Sequence, residues 1–382
     1  MSAYAIYRLP HEDHATQIRQ TEGEPVELST LTELNGRSGF VVAPFEVTDS
    51  QPILVIQGEA ERVDLLSRSV ECGVWSENTP AADSSLRGNL TPHSSLLTPP
   101  SSLLTPPSSL LTPPSSLLTP HYKVDFANFH SQLENDTFRK IVLARCADEV
   151  LEEKVEPIEL FYRACALYPR LFVALVDTAK SGCWLTATPE ILLDRNGEDW
   201  RTIALAGTMK LEGDQLNGEG ETMRWSTKNI QEQRIVATYI TECLEQFTGD
   251  FEEEGPRTVR AANLVHLRSD FTFRLSDQGH IGDLLHVLHP TPAVCGLPKR
   301  EAFQFIIKNE HTPRRYYSGF MGPLQMESTH LYVSLRCMNI EDHVCHLFAG
   351  GGLLKDSVEE QEWAETEAKM ETMRRILQAE EA

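Results

Sequence analysis

Short apolar runs separated by polar turns dominate the first 80 residues, with Gly39–Ala43 (GFVVA) and Pro52–Ile56 (PILVI) the clearest. Runs of that length and spacing predict strands packed onto the main body. Beyond residue 122 the pattern becomes a dense succession of helices and strands. Val236, Tyr239, Ile240, Cys243, Leu244 and Phe247 recur at helical spacing in a segment that begins near Ser226, which predicts a helix with one buried face. A second helix is predicted from Val358 onward, where Trp363, Met370, Met373 and Leu377 form an apolar stripe. Ile141–Ala144 reads as an apolar strand opened by Lys140, and Leu331–Cys337 as a strand with Arg336 deep within it. The charged stretch Gly249–Arg257 reads as a solvated turn.

One segment follows neither period. From Ser94 to His121 the chain repeats SSLLTPP three times and ends with SSLLTPH. The repeat is seven residues long, yet its prolines forbid the continuous helix of a coiled coil. It carries no charged side chain, and its leucine pairs are too sparse to form a core. An extended loop of polyproline character is expected. Loops tolerate such growth because closure entropy rises slowly with length. The expected organisation is therefore a strand-rich part of the same fold over 1–83, a disordered insertion over 84–121, and a catalytic region over 122–382.

Composition narrows the class. The 382 residues carry 34 Lys and Arg against 56 Asp and Glu, a formal charge of −22. A nucleic-acid protein should show a basic patch or stripe, and an anionic membrane surface would repel this chain. No stretch approaches the roughly 20 apolar residues of a membrane span, and the N-terminus lacks the pattern of a signal peptide. Eight scattered cysteines without a CxxC suit reduced thiols in a cytoplasmic protein. His343, Cys345 and His346 lie close together, but no second ligand pair has zinc-site spacing, so core packing is the expected role. A small anionic substrate remains open, provided placed cations or a metal supply local positive charge.

The helical segments carry acids where acids are costly. Stepping back from Val236 by four and from Tyr239 by seven lands on Glu232, on the inward stripe. A carboxylate there requires a partner. In the C-terminal helix Glu362, Glu365 and Lys369 fall at i, i+3 and i+7 on one face. Such a face is often only solvated ion pairs, but two acidic helices facing one another would seat a hard cation. Magnesium takes one or two carboxylates and leaves its other positions to water or an anionic substrate. Phe348-Ala-Gly-Gly-Gly ends in a turn that lets backbone N–H groups approach a carboxylate. Arg336 calls for an anionic partner, structural or ligand. Lys140 and Glu190 could act as base and acid on one substrate, a lysine and a protonated carboxyl; spacing alone does not establish this.

Together, RKIVLAR (139–145), TPEILL (188–193), LAGT (205–208), KNIQEQ (228–233), HPTPAVCGLP (289–298), YYSGFMG (316–322), VSLR (333–336) and AGGG followed by EWAETEAK (362–369) resemble, in order, the motifs of the chorismate-utilising enzymes. The resemblance covers about 122 to 380. Within the family it is closest to the isochorismate synthases, because Lys140 stands where the ammonia-using members typically carry glutamine. It implies an α+β fold, a single large domain of two stacked antiparallel sheets flanked by helices, with the active site in a cleft. It further implies Lys140 as the base that activates water for attack at C2 of chorismate, and Glu190 as the acid for the departing C4 hydroxyl. Magnesium would sit on Glu232 and Glu365, with Glu362 acting through a metal-bound water. Tyr317, Arg336 and the backbone of Gly351 and Gly352 would clamp the second carboxylate. Gly207 and Thr208 would line the ring pocket, His289 would border C2 or the leaving hydroxyl, and Lys369 completes the substrate-binding set. No glutaminase partner is implied, and a monomer is expected. The product is expected to feed menaquinone biosynthesis, with a catechol siderophore as the alternative destination.

The chain departs from the family pattern in places. Its glycine turn reads GGGLL rather than GAGIV, SVEEQEW lacks the usual proline, and the repeat has no counterpart. Two competing readings stand beside the main one: a salicylate synthase, which goes on to eliminate pyruvate, and a non-catalytic scaffold working through the proline-rich repeat.

Overall fold

The computed structural model describes residues 3–65, 120–154, 156–210, 224–261, 264–275, 279–325 and 327–378. Two nine-stranded sheets form the body. Both are antiparallel, so the expected α+β architecture of two stacked antiparallel sheets with flanking helices is what is found. The first sheet runs, edge to edge, through Gly296–Leu297, Lys140–Val150, Val344–Leu353, Cys337–Glu341, Gly182–Thr188, Phe172–Thr178, Ala3–Arg8, His14–Gln20 and Glu59–Asp64. The second runs through Phe251–Ala261, Leu264–Phe273, Asp199–Lys210, Ile191–Asn196, Ser328–Val333, Phe320–Leu324, Gly39–Ala43, Ile53–Ile56 and Val26–Leu28. The strands before residue 65 thus extend both sheets by hydrogen bonding, Ala3–Arg8 against Phe172–Thr178 and Gly39–Ala43 against Phe320–Leu324.

Between the sheets lies a core that includes Phe40, Phe172, Trp184, Leu205, Tyr332 and Phe348. Phe172 of one sheet stacks on Tyr332 of the other with ring centroids 4.3 Å apart. Among the described residues six α-helices cover the outside: α1 (Pro120–Glu134), α2 (Pro157–Leu167), α3 (Thr227–Leu244), α4 (Ile281–Leu288), α5 (Lys299–Asn309) and α6 (Glu359–Gln378). Helix α3 starts where Ser226 caps it, its side chain accepting the Asn229 N–H at 3.2 Å. The predicted stripe of Val236, Tyr239, Ile240, Cys243 and Leu244 packs with α4 over the second sheet. Met370 and Met373 of α6 join α2 over the first.

Three expectations change. The stretch Gly249–Arg257 is not a turn: Phe251–Ala261 is an edge strand with a bulge between Glu254 and Arg257. Its charges misled because edge strands are commonly charged, which blocks pairing with other chains. Arg336 does not lie within a strand; the chain leaves the second sheet at Val333 and enters the first at Cys337. Arg336 sits on that crossing with φ of 46°, a left-handed conformation no strand interior uses. Finally, most of the SSLLTPP repeat lies outside the described residues, but Pro120 and His121 open α1, where proline at the first helical position loses no hydrogen bond.

Candidate active site

Two crossings between the sheets lie side by side and shape a cleft. One is Pro189–Glu190, linking Gly182–Thr188 to Ile191–Asn196; the other is Ser334–Arg336. The Val333 N–H donates to the Glu190 carbonyl at 2.9 Å, and the Ala187 N–H to the Arg336 carbonyl at 3.1 Å. Glu190 and Arg336, 146 residues apart in sequence, are thereby locked as neighbours. Counted out into the open solvent at its mouth, the cleft holds about 630 Å³ of empty space. Glu190, Gly207, Thr208, Glu232, Tyr317, Arg336, Gly352 and Lys369 all line it.

Lys140 and Glu232 meet beside this cleft. Lys140 Nζ is 2.9 Å from Glu232 Oε1, and the lysine is fully buried. The contact is an ion pair by distance, without hydrogen-bond alignment at the ammonium. Gly352 makes room for it: a Cβ there would stand 2.2 Å from Glu232 Oε1 and 2.8 Å from Lys140 Cε. Helix α3 is held in place by Gln233, whose Oε1 accepts the Ala206 N–H at 2.9 Å while its amide donates to the Ala204 carbonyl at 3.1 Å. The adjacent Glu232 therefore points inward. Gly207, with φ of 72°, forms a bulge against which α3 packs so closely that a Cβ would meet the Asn229 carbonyl at 2.9 Å.

Three carboxylates of α3 and α6 are each paired with a lysine, and of these Glu232 lines the cleft. Beyond Lys140–Glu232, Lys228 Nζ lies 2.5 Å from Glu362 Oε1, and Lys369 Nζ 2.7 Å from Glu365 Oε1. Lys369 also donates to the Gly350 carbonyl at 2.8 Å. Burial raises the Glu232 pKa, but the ammonium groups of Lys140 and Lys228 bring it below the ordinary value. Burial and then Glu365 push Glu362 up. Glu362 Oε2 is buried without a partner, a costly state for a carboxylate oxygen. An all-oxygen donor set with one orphaned buried oxygen fits a hard divalent cation, although the three carboxylates do not converge on one point while their lysines hold them.

Burial, opposed by Lys140 and then Lys369, raises the pKa of Glu190 to about 7. A protonated carboxyl is thus available near neutral pH. Arg336 donates to His266 Nε2 at 2.6 Å, and His266 Nδ1 lies 3.3 Å from the Gly207 carbonyl. Burial and then Arg336 keep that imidazole neutral by driving its pKa well below 6.5. Burial lowers Arg336 itself to about 10. Tyr317 stacks on Phe348 at 5.6 Å.

Of the expected positions, Lys140, Glu362, Glu365, His289 and Gly351 are not part of the cleft lining. His289 does not line the cleft: its ring lies against Phe320 at 5.1 Å, both nitrogens buried and unpartnered. Desolvation lowers its pKa to about 3. The histidine at the cleft is His266, which no sequence motif marked. Gly351 lies between two residues of the lining, Gly350 and Gly352, and a Cβ on it would meet Glu362 Oε2 at 3.1 Å. Also unforeseen was the buried pair of Glu310 and Arg314. Glu310 accepts the Ala144 N–H at 2.7 Å and Arg314 donates to the Val142 and Val294 carbonyls at 2.9 and 2.6 Å, bracing the strand that carries Lys140.

A family model described as "Chorismate binding enzyme" matches residues 80–378. Isochorismate synthase EntC of Escherichia coli is 30% identical over 242 residues, 62% of this chain and 62% of that protein. The salicylate biosynthesis isochorismate synthase of Pseudomonas aeruginosa is 34% identical over 255 residues, 65% of this chain and 53% of its own length. The matched region thus spans under two thirds of either relative. The solved structure of MenF, the menaquinone-specific isochorismate synthase of Escherichia coli, superposes with a TM-score of 0.72 over 99% of this chain and 89% of that one, at 22% identity. That likeness concerns the fold.

Proposed function

The chain belongs to the chorismate-binding enzyme family, and on that premise we propose that it is an isochorismate synthase, converting chorismate to isochorismate. The observation that carries this reading is a buried carboxyl in the cleft wall, Glu190, whose pKa stands at about 7 and which feels the charge of the buried Lys140 nearby. Lys140, as the neutral amine with its ion pair to Glu232 broken, takes a proton from water as it attacks C2. Glu190 gives its proton to the C4 hydroxyl, which leaves as water while the ring double bonds shift. One water enters and one departs, so the reaction is an isomerisation. Each proton transfer contributes about 10²–10⁴ in rate.

Arg336 takes the enolpyruvyl carboxylate in a charge-assisted contact, held in orientation by neutral His266. Tyr317 and the backbone at Gly350 and Gly352 complete that end, and Gly207 and Thr208 flank the ring. Lys369 adds positive charge to a cleft that must accept a dianion. Glu232 and Glu365 would hold a magnesium ion, with Glu362 as the outer carboxylate. When bound, that ion supplies the positive charge that neutralises the ring carboxylate of the substrate.

No glutaminase partner is needed, since water is the nucleophile, and the chain acts as a monomer in the cytoplasm. No helix among the described residues is long and apolar enough to cross a membrane. The product is assigned to menaquinone biosynthesis, with a catechol siderophore as the alternative destination. Chromatographic product analysis with and without magnesium tests the reaction. Magnesium-dependent isochorismate in equilibrium with chorismate, without pyruvate, is the expected result; salicylate with stoichiometric pyruvate, or no conversion, would overturn it. Complementation of a strain lacking isochorismate synthases, scored for menaquinone against catechol siderophore, tests the pathway.

A further inference from the structure

At the far end of the strand that begins with Lys140 lies a second cluster of chemically capable side chains. Asp148 stands directly opposite His346 in the pairing of Lys140–Val150 with Val344–Leu353. Cys146 is two residues along on the same face. His346 Nδ1 is 2.7 Å from Asp148 Oδ1, and Cys146 Sγ is 3.8 Å from the same oxygen. One ligand atom from each lies within 4.8 Å of the other two, the only such trio among the described residues. Lys140 and Asp148 are separated by roughly 26 Å of extended strand, and none of Cys146, Asp148 and His346 lines the cleft, although Cys146 pairs with Phe348 of its wall.

We propose that Cys146, Asp148 and His346 form a zinc site, with Glu341 as the outer partner of the imidazole. The donor set of thiol, imidazole and carboxylate suits zinc rather than magnesium or calcium, which prefer oxygen alone. In tetrahedral zinc coordination the bond lengths place ligand atoms about 3.3–3.6 Å apart. The present separations, 2.7 and 3.8 Å with every pair within 4.8 Å, leave at most about 1.2 Å to be made up between side-chain ends. Ligation through Nδ1 leaves Nε2–H facing Glu341 Oε2, 3.7 Å away. A carboxylate behind the second ring nitrogen is the arrangement that fixes a ligating histidine. Glu341 is itself anchored by Arg315 at 3.2 Å. Asp148 and His346 are open to solvent, which supplies an entry route and a fourth ligand. Cys345, noted in the sequence beside His343, turns to the opposite face and into the core.

The experiment is a zinc titration of the full chain in excess magnesium, which masks the carboxylates of the cleft, followed by metal analysis after desalting. Cobalt serves as the spectroscopic substitute. One zinc per chain is expected, together with a thiolate-to-cobalt charge-transfer band in the near ultraviolet. C146S should abolish that band, and H346A should weaken zinc binding at least as far as E341Q does, for which roughly 10- to 100-fold is expected. Cys146 packs partly against the core between the sheets, so circular dichroism checks the folding of each variant. Absence of stoichiometric zinc, or binding and band unchanged in C146S and H346A, would overturn the proposal.

Discussion

Lys140 and Glu232, from a strand of the first sheet and a helix on the second, meet as a buried ion pair with 2.9 Å between Nζ and Oε1. Removing one member of such a pair leaves an uncompensated charge, at a cost of about 3–5 kcal/mol. Lys228 lowers that cost by remaining near Glu232. Lys140→Gln should therefore reduce turnover of chorismate by about 10²–10⁴ while circular dichroism shows the fold retained. Near-full activity with water would place the base elsewhere.

Glu190 should impose an alkaline limb on activity. Its folded pKa of about 7 exceeds the ordinary 4.5, so the acid form needed for catalysis is lost as pH rises through about 7. The pH profile of kcat/KM should fall on that side. In Glu190→Gln, residual activity should no longer follow that limb. Stability moves with the same sign: the native state holds a proton the unfolded chain has released above pH 4.5, so this contribution is present at low pH and gone above about 7. At 1.36 kcal/mol per unit the loss is about 3 kcal/mol. Glu190→Gln should thus raise the melting temperature at pH 8 while lowering activity.

Magnesium dependence should respond to the acids of α3 and α6. Glu232→Gln and Glu365→Gln should each raise the magnesium concentration at half-saturation, read both in activity and in direct calorimetric titration. If both variants titrate as the parent does, the metal is not held there.

Gly352→Ala adds only a methyl group, but to the wall shared by Lys140 and Glu232, where it would lie 2.2 Å from a carboxylate oxygen. Displacement of the pair by about 1 Å is enough to cost about 10²-fold in rate. Activity should fall by that order while the thermal transition remains cooperative. Unimpaired turnover would mean that the pair can retreat without consequence.

Deleting 94–119, which spares Pro120 and His121 at the start of α1, should leave kcat and KM unchanged, since no motif of the cleft falls within the repeat. Loss of turnover with a folded product would give the repeat a role in catalysis.

How much of this was legible beforehand depends on the range of the interaction. Helix α3 was readable because burial repeats at helical spacing, and Glu232 stood out because a carboxylate interrupted that stripe. The acids of α6 were readable for the same reason. His266 was not, since a histidine inside an apolar strand looks the same whether it faces packing or a ligand. His289 looked suitable by its motif alone, yet its ring turns against Phe320. The charged edge strand Phe251–Ala261 was mistaken for a turn because charge marks exposure, and both environments are exposed.

The sequence by itself determined the family, the fold class, and the identity of most polar groups in the cleft, because local periodicity and ordered motifs are properties of the chain. Only the tertiary structure decided which of those groups meet. Two neighbouring crossings between the sheets bring Glu190 beside Arg336, and Gly352 lets Lys140 reach Glu232. The pairing of two distant strands likewise sets Asp148 against His346. Those contacts depend on strand register and on which face each residue takes, and both are settled by burial of the two sheets against each other rather than by any local preference of the chain.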